Sequence, residues 1–384
     1  MTRQTFLRQH EETTTDLLAS SLPLTPASLL WKERKLLNFS SHDYLGLSQH
    51  PDLRKNAIKY LLHYGTGICD PEMRNGYLDC QRQIEEKYTE ALSVSHAHLF
   101  STHSAALASI LQHFPNREWT VFVDAGCQAS LFKALKQWGG RHVIFPHCNL
   151  NALETLLSTS STTRRLILSE SLFATTGRTS DLYSLIGLTQ HYDGFLIIDD
   201  SRSFGIKGPQ GFGLASRIEG IDFIVCSLDC AAGSSGAFAS CSPSLAPCFF
   251  KNFSFTREHA PSFSTLGAVE AAIELIPTLE GERMQLEQRT HWMRQQLKSL
   301  ELTLVPSSSH LIALACENAM EAHHRWNIFL EQDILSEISM MQQETQEAYL
   351  LFAINSYHTP DELSKLFLAW ETANIPKQLE KLGI

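Results

Sequence analysis

The sequence predicts an α/β protein with a large domain built on a mostly parallel sheet and a smaller α+β domain. Seven short apolar runs without alternation suit strands that are buried on both faces of such a sheet. Most gaps between the runs hold helix-like segments, which gives the βαβ pattern. The last two runs lie close together, so we expect one of them to be antiparallel to the rest. The runs are residues 97–100, 120–123, 142–145, 165–168, 195–198, 223–226 and 237–239.

The N-terminal part of the chain lacks this βαβ pattern. Polar residues 1–21 are expected to be helical, whereas residues 22–39 suit an irregular or short-strand entry because Pro23 and Pro26 interrupt any helix. Helices are expected over residues 51–62 and 79–91.

The C-terminal part predicts a smaller unit. Residues 266–300 suit two helices, and residues 310–315 and 348–354 are strand candidates. Thr359 and Glu362 have the spacing of a capping box that begins a last helix. We therefore expect an N-terminal segment (residues 1–45) that packs with the bridging helices and small domain (266–384), and a large domain (46–265).

Charge and composition argue against several classes of function. The 384 residues carry a formal net charge of -10 without any block of Lys and Arg, which disfavours nucleic acid or an anionic membrane as partner. No apolar run is long enough for a membrane span, and the N-terminus lacks the pattern of a signal peptide. The nine cysteines include no CxxC pair, so neither a metal site nor a disulfide framework is indicated. A reduced, cytoplasmic setting is expected.

The stretch GFLIIDDSRSFG, residues 194–205, contains the first candidate for function. Asp199 directly follows the apolar run 195–198, at the place where open α/β sheets carry their chemistry. A buried carboxylate is costly unless a cation pairs with it. Asp199 is therefore either half exposed at a strand end or the partner of a cationic ligand group, and the stretch alone leaves both interpretations open.

Several stretches, in order and spacing, resemble the α-oxoamine synthases over residues 38–366. This resemblance implies the fold of aspartate aminotransferase (fold type I), pyridoxal phosphate as cofactor, and the decarboxylative condensation of an acyl-CoA with an amino acid, as in 8-amino-7-oxononanoate synthase. The stretches are NFSSHDYLGLSQHPDL (38–53), YGTGICDPEMRNGYLDCQRQIEE (64–86), VFVDAGCQAS (121–130), ESLFATTGRTSDL (170–182) and DDSRSFGIKGPQGFG (199–213).

The resemblance assigns roles around the pyridine ring. Asp199 matches the carboxylate that pairs with the ring nitrogen and keeps it protonated. Arg202 stands where the family has a His that donates to the phenolic oxygen; Arg could also donate, or it could be an exposed loop residue. Gln128 replaces a His that stacks on the ring, and because Gln lacks an aromatic face we expect an ordinary helix-start residue there.

The resemblance also assigns the phosphate turn to Thr102, His103 and Ser104. Small hydroxyls and helix-start amides could still hold a phosphate there, but His103 replaces a glycine and is expected to obstruct the backbone approach. Ser227 matches a hydroxyl residue that touches the same phosphate.

Cys230 occupies the position of the family's Schiff-base lysine, and residues 210–250 contain no lysine at all. A thiol cannot form an imine with the cofactor aldehyde. A small buried structural role is expected for Cys230 rather than that of a nucleophile. Leu351 stands where the family has an Arg that grips the amino-acid carboxylate, so that contact is expected to be lost as well.

Three functions remain open at this point. The favoured one is a degenerate α-oxoamine synthase that acts as a non-catalytic partner, because Cys230, Gln128 and Leu351 all depart from the family pattern. The second is an active acyl-CoA:amino acid C-acyltransferase that uses a lysine from elsewhere, such as Lys207. The third is a protein that binds pyridoxal phosphate or acyl-CoA without turnover.

The expected cofactor behaviour and assembly follow from the favoured function. Pyridoxal phosphate should bind weakly or not at all, and never as an aldimine at position 230. We expect a homodimer, or a heterodimer with a lysine-bearing homologue, with the Gly-rich loop 65–76 in its interface.

Overall fold

A computed structural model describes residues 21–67, 78–247, 261–300, 302–341 and 347–382. The strands, in chain order, are β1 (Ser21–Thr25), β2 (Ser28–Trp31), β3 (Arg34–Asn38), β4 (His96–Phe100), β5 (Thr120–Asp124), β6 (Arg141–Phe145), β7 (Arg165–Glu170), β8 (Phe195–Asp199), β9 (Phe223–Ser227), β10 (Ala237–Cys241), β11 (Leu311–Cys316), β12 (Ile334–Leu335), β13 (Glu337–Met340) and β14 (Ala348–Ala353). The α-helices are α1 (Pro51–Tyr64), α2 (Asp79–Leu92), α3 (His103–Gln112), α4 (Ala129–Trp138), α5 (Leu150–Thr159), α6 (Leu182–His191), α7 (Phe263–Leu275), α8 (Glu280–Leu297), α9 (Ala319–Glu331) and α10 (Pro360–Leu382).

The seven predicted apolar runs form one seven-stranded sheet in the order β4-β10-β9-β8-β7-β5-β6. Strands β6, β5, β7, β8 and β9 pair in parallel. Every residue of β5, β9 and β10 is buried, because helices cover both faces and the apolar runs have no solvent side. The predicted α/β fold with a mostly parallel sheet is confirmed.

Strand β10 is antiparallel to both of its neighbours, β9 and β4. The link between Ser227 and Ala237 is too short for the crossover of a dozen or more residues that a parallel pairing needs. The expectation that one of the last two runs is antiparallel is therefore confirmed, and the geometry of the link is the reason.

Two smaller sheets lie outside the central one. Strands β11, β14 and β13 form an antiparallel sheet, and β1, β2 and β3 form an antiparallel sheet to which β12 adds in parallel. Strands β12 and β13 were not predicted from the sequence, because they are short and only partly buried. The backbone N–H of Ala353 donates to the carbonyl of Phe39 at 2.7 Å, so the strands near the N-terminus contact the C-terminal sheet.

Some predictions concern residues outside the described part of the chain. Residues 1–20 of the helix expected over 1–21 and most of the interface loop 65–76 belong to this group, whereas Ser21 begins β1. The domain boundaries near residues 45 and 265 stay a prediction.

The capping box is confirmed at the start of α10. Thr359 Oγ1 accepts from the N–H of Glu362 at 3.3 Å, and Glu362 Oε2 accepts from the N–H of Thr359 at 2.8 Å. Within the described residues, no helix combines the length and apolar composition that crossing a membrane requires.

Candidate functional site

A cleft of about 310 Å³ lies at the carboxyl edge of the central sheet, where β8 and β9 end. The topology brings residues from distant positions to this edge, as expected for an open α/β sheet. Of the predicted site residues, His103, Ser104, Gln128, Arg202, Ser227 and Cys230 line the cleft. Its other lining residues are His42, Thr102, Ser130, Ser201 and Asp229. Leu351 lies in the middle strand of the small sheet and is not among them.

Asp199 is buried as the last residue of β8, beneath the lining residues His103 and Gln128. Its Oδ2 lies 3.0 Å from His103 Nε2 and accepts from Gln128 Nε2 at 2.7 Å. Its Oδ1 accepts from the N–H of Ser201 at 2.9 Å and from the Ser201 hydroxyl. Both oxygens are therefore engaged by side chains or backbone of this chain.

Charge compensation keeps Asp199 ionised. Burial by itself would raise the pKa of this carboxyl, but the nearby charge of His103 and the hydrogen bonds from Ser201 outweigh it, so the pKa is lowered. Burial would lower the pKa of His103, and the charge of Asp199 reverses this and raises it. The two side chains form a buried carboxylate–imidazolium pair.

Glu170 is the last residue of the neighbouring strand β7, and its pKa shifts in the opposite direction. Its carboxyl accepts from the backbone N–H groups of Gln128 at 2.5 Å and Ala174 at 2.9 Å. Burial, and then the negative charge of Asp199, raise its pKa. Since two carboxylates this close cannot both ionise cheaply, the negative charge resides on Asp199.

Gln128 is the residue that precedes α4, as expected for a helix start, yet its side chain does not cap the helix. The side chain donates a hydrogen bond to Asp199 instead. The sequence motif suggested only the loss of a stacking ring here, whereas the structure shows a new hydrogen bond to the same carboxylate.

Cys230 is 3% exposed, as expected for a small buried residue. Its Sγ donates to Asp229 Oδ1 at 3.5 Å and accepts from Arg202 Nη1 at 3.6 Å. Burial, partly offset by the charge of Arg202, raises the pKa of this thiol to about 12. The thiol stays protonated near neutral pH, so it is not an activated nucleophile.

Arg202 is buried with 9% of its surface exposed, which rules out the exposed-loop interpretation. Besides Cys230, its Nη1 donates to the hydroxyl of Tyr44 at 3.2 Å. Its Nε–H has no hydrogen-bond partner. Burial would lower the pKa of this guanidinium, but its hydrogen bond to Tyr44 and the nearby charge of Glu337 raise it, so it stays charged.

The phosphate-turn residues stand at the start of α3. Thr102 is the N-cap, and its Oγ1 accepts from the N–H of Ala105 at 3.1 Å. Ser104 is in the first turn. Ser227, on the opposite side, donates its hydroxyl to Asp229 Oδ1 at 2.5 Å. The Ser227 hydroxyl, which the family pattern assigns to the cofactor phosphate, is therefore hydrogen-bonded to the Asp229 carboxylate instead.

Sequence reasoning missed several residues in and around the cleft. His42 lines the cleft, and its Nε2 lies 3.3 Å from Glu337 Oε2. The ring of Tyr44 packs edge-on against His310 at 4.1 Å between centroids. His42 and Tyr44 belong to the HDYLGL stretch, so that motif was the available signal; nothing local marked Glu337 or His310.

A second polar cluster occupies the same edge of the sheet beyond β5. Ligand-type atoms of Asp124, His147 and Cys148 lie within 4.8 Å of one another. His147 Nδ1 is 2.7 Å from Asp124 Oδ1 and its Nε2 is 2.9 Å from Thr176 Oγ1. Since both ring nitrogens are used within the protein, this arrangement fixes the loop after β6.

Comparison with known proteins decides the family. The aminotransferase class I and II family model matches residues 34–363. The chain belongs to this family. The aminotransferase-family chain is 32% identical over 291 residues to 8-amino-7-oxononanoate synthase of Gluconacetobacter diazotrophicus, with 72% of each chain covered. It is 29% identical over 298 residues to the protein of that name from Nitrosomonas eutropha, covering 75% of this chain and 76% of that one.

Solved structures agree with this assignment at the level of the fold. Sphingomonas wittichii serine palmitoyltransferase matches with a TM-score of 0.87 at 16% identity, covering 98% of each chain. An 8-amino-7-oxononanoate synthase from Francisella tularensis matches with a TM-score of 0.78 at 21% identity, covering 90% of this chain and 99% of that one. The predicted α-oxoamine synthase resemblance and fold type I are confirmed.

Pyridoxal phosphate is the cofactor of the family, but the cleft of this member does not fit its ring as the family binds it. The carboxylate that would meet the pyridine nitrogen is already contacted by His103, Gln128 and Ser201. A ring at Asp199 would have to displace His103 and Gln128. Among the described residues lining the cleft there is no lysine. Lys207 lines a separate cavity beside His310.

Proposed function

We propose that this chain is a catalytically degenerate α-oxoamine synthase homologue that serves as a non-catalytic partner subunit. The observation that carries the proposal is Cys230 at the position of the Schiff-base lysine, buried and with a protonated thiol. Without an amine at that position, the covalent attachment on which the family reaction depends cannot form. The partner would be a lysine-bearing homologue in a heterodimer, or a second copy in a homodimer, and we place the protein in the cytoplasm.

Weak or lost binding of pyridoxal phosphate follows from the same proposal. The Asp199 carboxylate is satisfied by His103, Gln128 and Ser201, so a pyridinium would have to compete with an existing ion pair. The binding free energy of a ligand reflects only the difference between the contacts it makes and the contacts it displaces. The lost stacking and the missing covalent link reduce that difference further.

One observation supports the alternative of a binding protein without turnover. The cleft persists with a volume of about 310 Å³ and carries the charged group Arg202. A cleft of that size suits a small ligand rather than a whole acyl-CoA. The alternative of an active C-acyltransferase that uses Lys207 is disfavoured, since that residue lines the other cavity.

Three measurements test the proposal. Affinity-tagged protein should co-purify with a lysine-bearing homologue when both are expressed together. The purified chain alone should consume no acyl-CoA with glycine, alanine or serine in the presence of pyridoxal phosphate. Borohydride treatment followed by peptide mass mapping should find no pyridoxyl group on a lysine in the cleft. Turnover by the isolated chain, free of contaminating enzyme, would refute the proposal.

A further inference from the structure

The guanidinium of Arg202 lies at the floor of the cleft without an ionic partner. It has 9% of its surface exposed, yet no carboxylate among the described residues forms an ion pair with it. A buried charge is costly unless it is paired, so proteins rarely leave one in this state.

The two groups that Arg202 does contact are neutral. Burial raises the pKa of the Tyr44 hydroxyl far above its usual range and that of the Cys230 thiol to about 12. Hydrogen bonds from Nη1 at 3.2 Å to Tyr44 and 3.6 Å to Cys230 therefore orient the guanidinium but do not compensate its charge. Its Nε–H has no hydrogen-bond partner.

The surroundings of Arg202 supply further donors, and the charge of Glu337 acts on it without forming an ion pair. Hydroxyls of Thr102, Ser104 and Ser130 line the same cleft. The carboxylate that also lines it, Asp229, accepts from Ser227 Oγ at 2.5 Å and from Cys230 Sγ at 3.5 Å. Asp199 is engaged with His103 and Gln128.

We infer that the cleft binds a small oxyanion, a carboxylate or a phosphate monoester, on the Arg202 guanidinium. Arg presents its N–H groups as a planar fork that matches these anions, and the burial that makes the unpaired charge costly also strengthens its pairing with a ligand. The volume of about 310 Å³ limits the ligand to a small metabolite. This site needs neither pyridoxal phosphate nor a partner subunit, so it does not depend on the proposed function.

Calorimetric titration of the purified chain with inorganic phosphate and, separately, with malonate tests this inference. Sodium chloride keeps the ionic strength constant, and no pyridoxal phosphate is present. We expect saturable binding of at least one anion, and the tighter of the two identifies whether a phosphate or a carboxylate is preferred. Saturable binding of neither anion would overturn the inference.

Two matched variants locate the site. Arg202→Met should weaken binding at least tenfold, whereas Arg325→Met should leave it unchanged. Arg325 is comparably buried, at 7% exposed, but its Nε pairs with Glu321 Oε1 at 2.9 Å on α9. Equal losses in both variants would contradict the assignment to Arg202. If Arg202→Met does not fold, Arg202→Lys serves instead: it keeps the charge but loses the fork, and should still bind more weakly than the wild type.

Discussion

Two buried charges three residues apart, Asp199 and Arg202, have opposite surroundings. Asp199 meets an imidazolium, an amide and a hydroxyl, so its charge is fully compensated within the chain. Arg202 meets a phenol and a thiol, both neutral. The charge on the Asp199 side of the cleft is compensated within the chain, whereas the charge on the Arg202 side is available to a ligand. The family's cofactor would need the first side, so the two sides differ in how far they depart from what that cofactor requires.

The largest expected effect comes from removing the compensated charge. Asp199→Ala leaves the His103 imidazolium and the Gln128 amide buried without their partner, and breaking a buried pair in this way costs about 3–5 kcal/mol of unfolding free energy. Urea denaturation measures it. The control is Glu86→Ala, which breaks an exposed i,i+4 pair with Arg82 and should cost far less. A similar, small loss in both variants would mean that Asp199 is not paired as described.

A second prediction sharpens the comparison with the adjacent carboxyl, Asp200. It contacts the hydroxyls of Ser171 and Ser203 and accepts from the N–H of Ala215 at 3.1 Å, but no cation. Burial raises its pKa from 3.8 to about 7. The folded state therefore keeps a proton that the unfolded state releases above pH 4, and stability falls as pH rises from about 4 to 7, by at most about 1.4 kcal/mol per pH unit.

The variant Asp200→Asn cannot release that proton, so its unfolding free energy should depend less on pH over the same interval. Asp181→Asn is the control, because the pKa of this exposed N-cap of α6 is lowered by Ser184 and the carboxyl is ionised in both states above pH 5. Denaturation curves between pH 4 and 7 make the measurement. An unchanged slope in Asp200→Asn would show that Asp200 is ionised in the folded protein.

The smallest expected effect concerns the Asp199 side of the cleft. His103→Gly removes the imidazole from Asp199 and should tighten non-covalent binding of pyridoxal phosphate at least tenfold, as measured by equilibrium dialysis. Ala105→Gly, two residues further along α3, adds the same flexibility without clearing Asp199 and should change nothing. Equal gains in both variants would assign the effect to the helix start rather than to the ring site.

The fold was predictable because its signal is local. Uninterrupted apolar runs such as residues 195–198 and 223–226 can only be buried, and the gaps between the runs set the order of strands and helices. Elements at the sheet edges were less predictable. Strand β13 is only partly buried, so its composition carries little periodicity.

The positions of the site residues were predictable, but their contacts were not. The motif placed Asp199, Arg202 and Cys230 near one another, and the cleft brings them together. It did not reveal that His103 reaches Asp199, because that contact depends on side-chain packing between residues 96 positions apart. The burial of Arg202 was likewise undecided, since exposure of a loop residue depends on what covers it. The assigned roles of these residues stay predictions.

Strand β4 has one more consequence, for the order of events during synthesis. It precedes the other strands of the central sheet in the chain, yet its hydrogen-bonded neighbour in that sheet is β10, the last of them. Phe100 and Ala237 are 137 positions apart. At a synthesis rate of about 5–20 residues per second, β4 and the helix carrying His103 wait roughly 7–30 s for that neighbour. The cleft is thus among the last parts of the sheet edge to form on the ribosome, and a chain truncated before residue 237 would expose β4 as an unpaired, aggregation-prone strand.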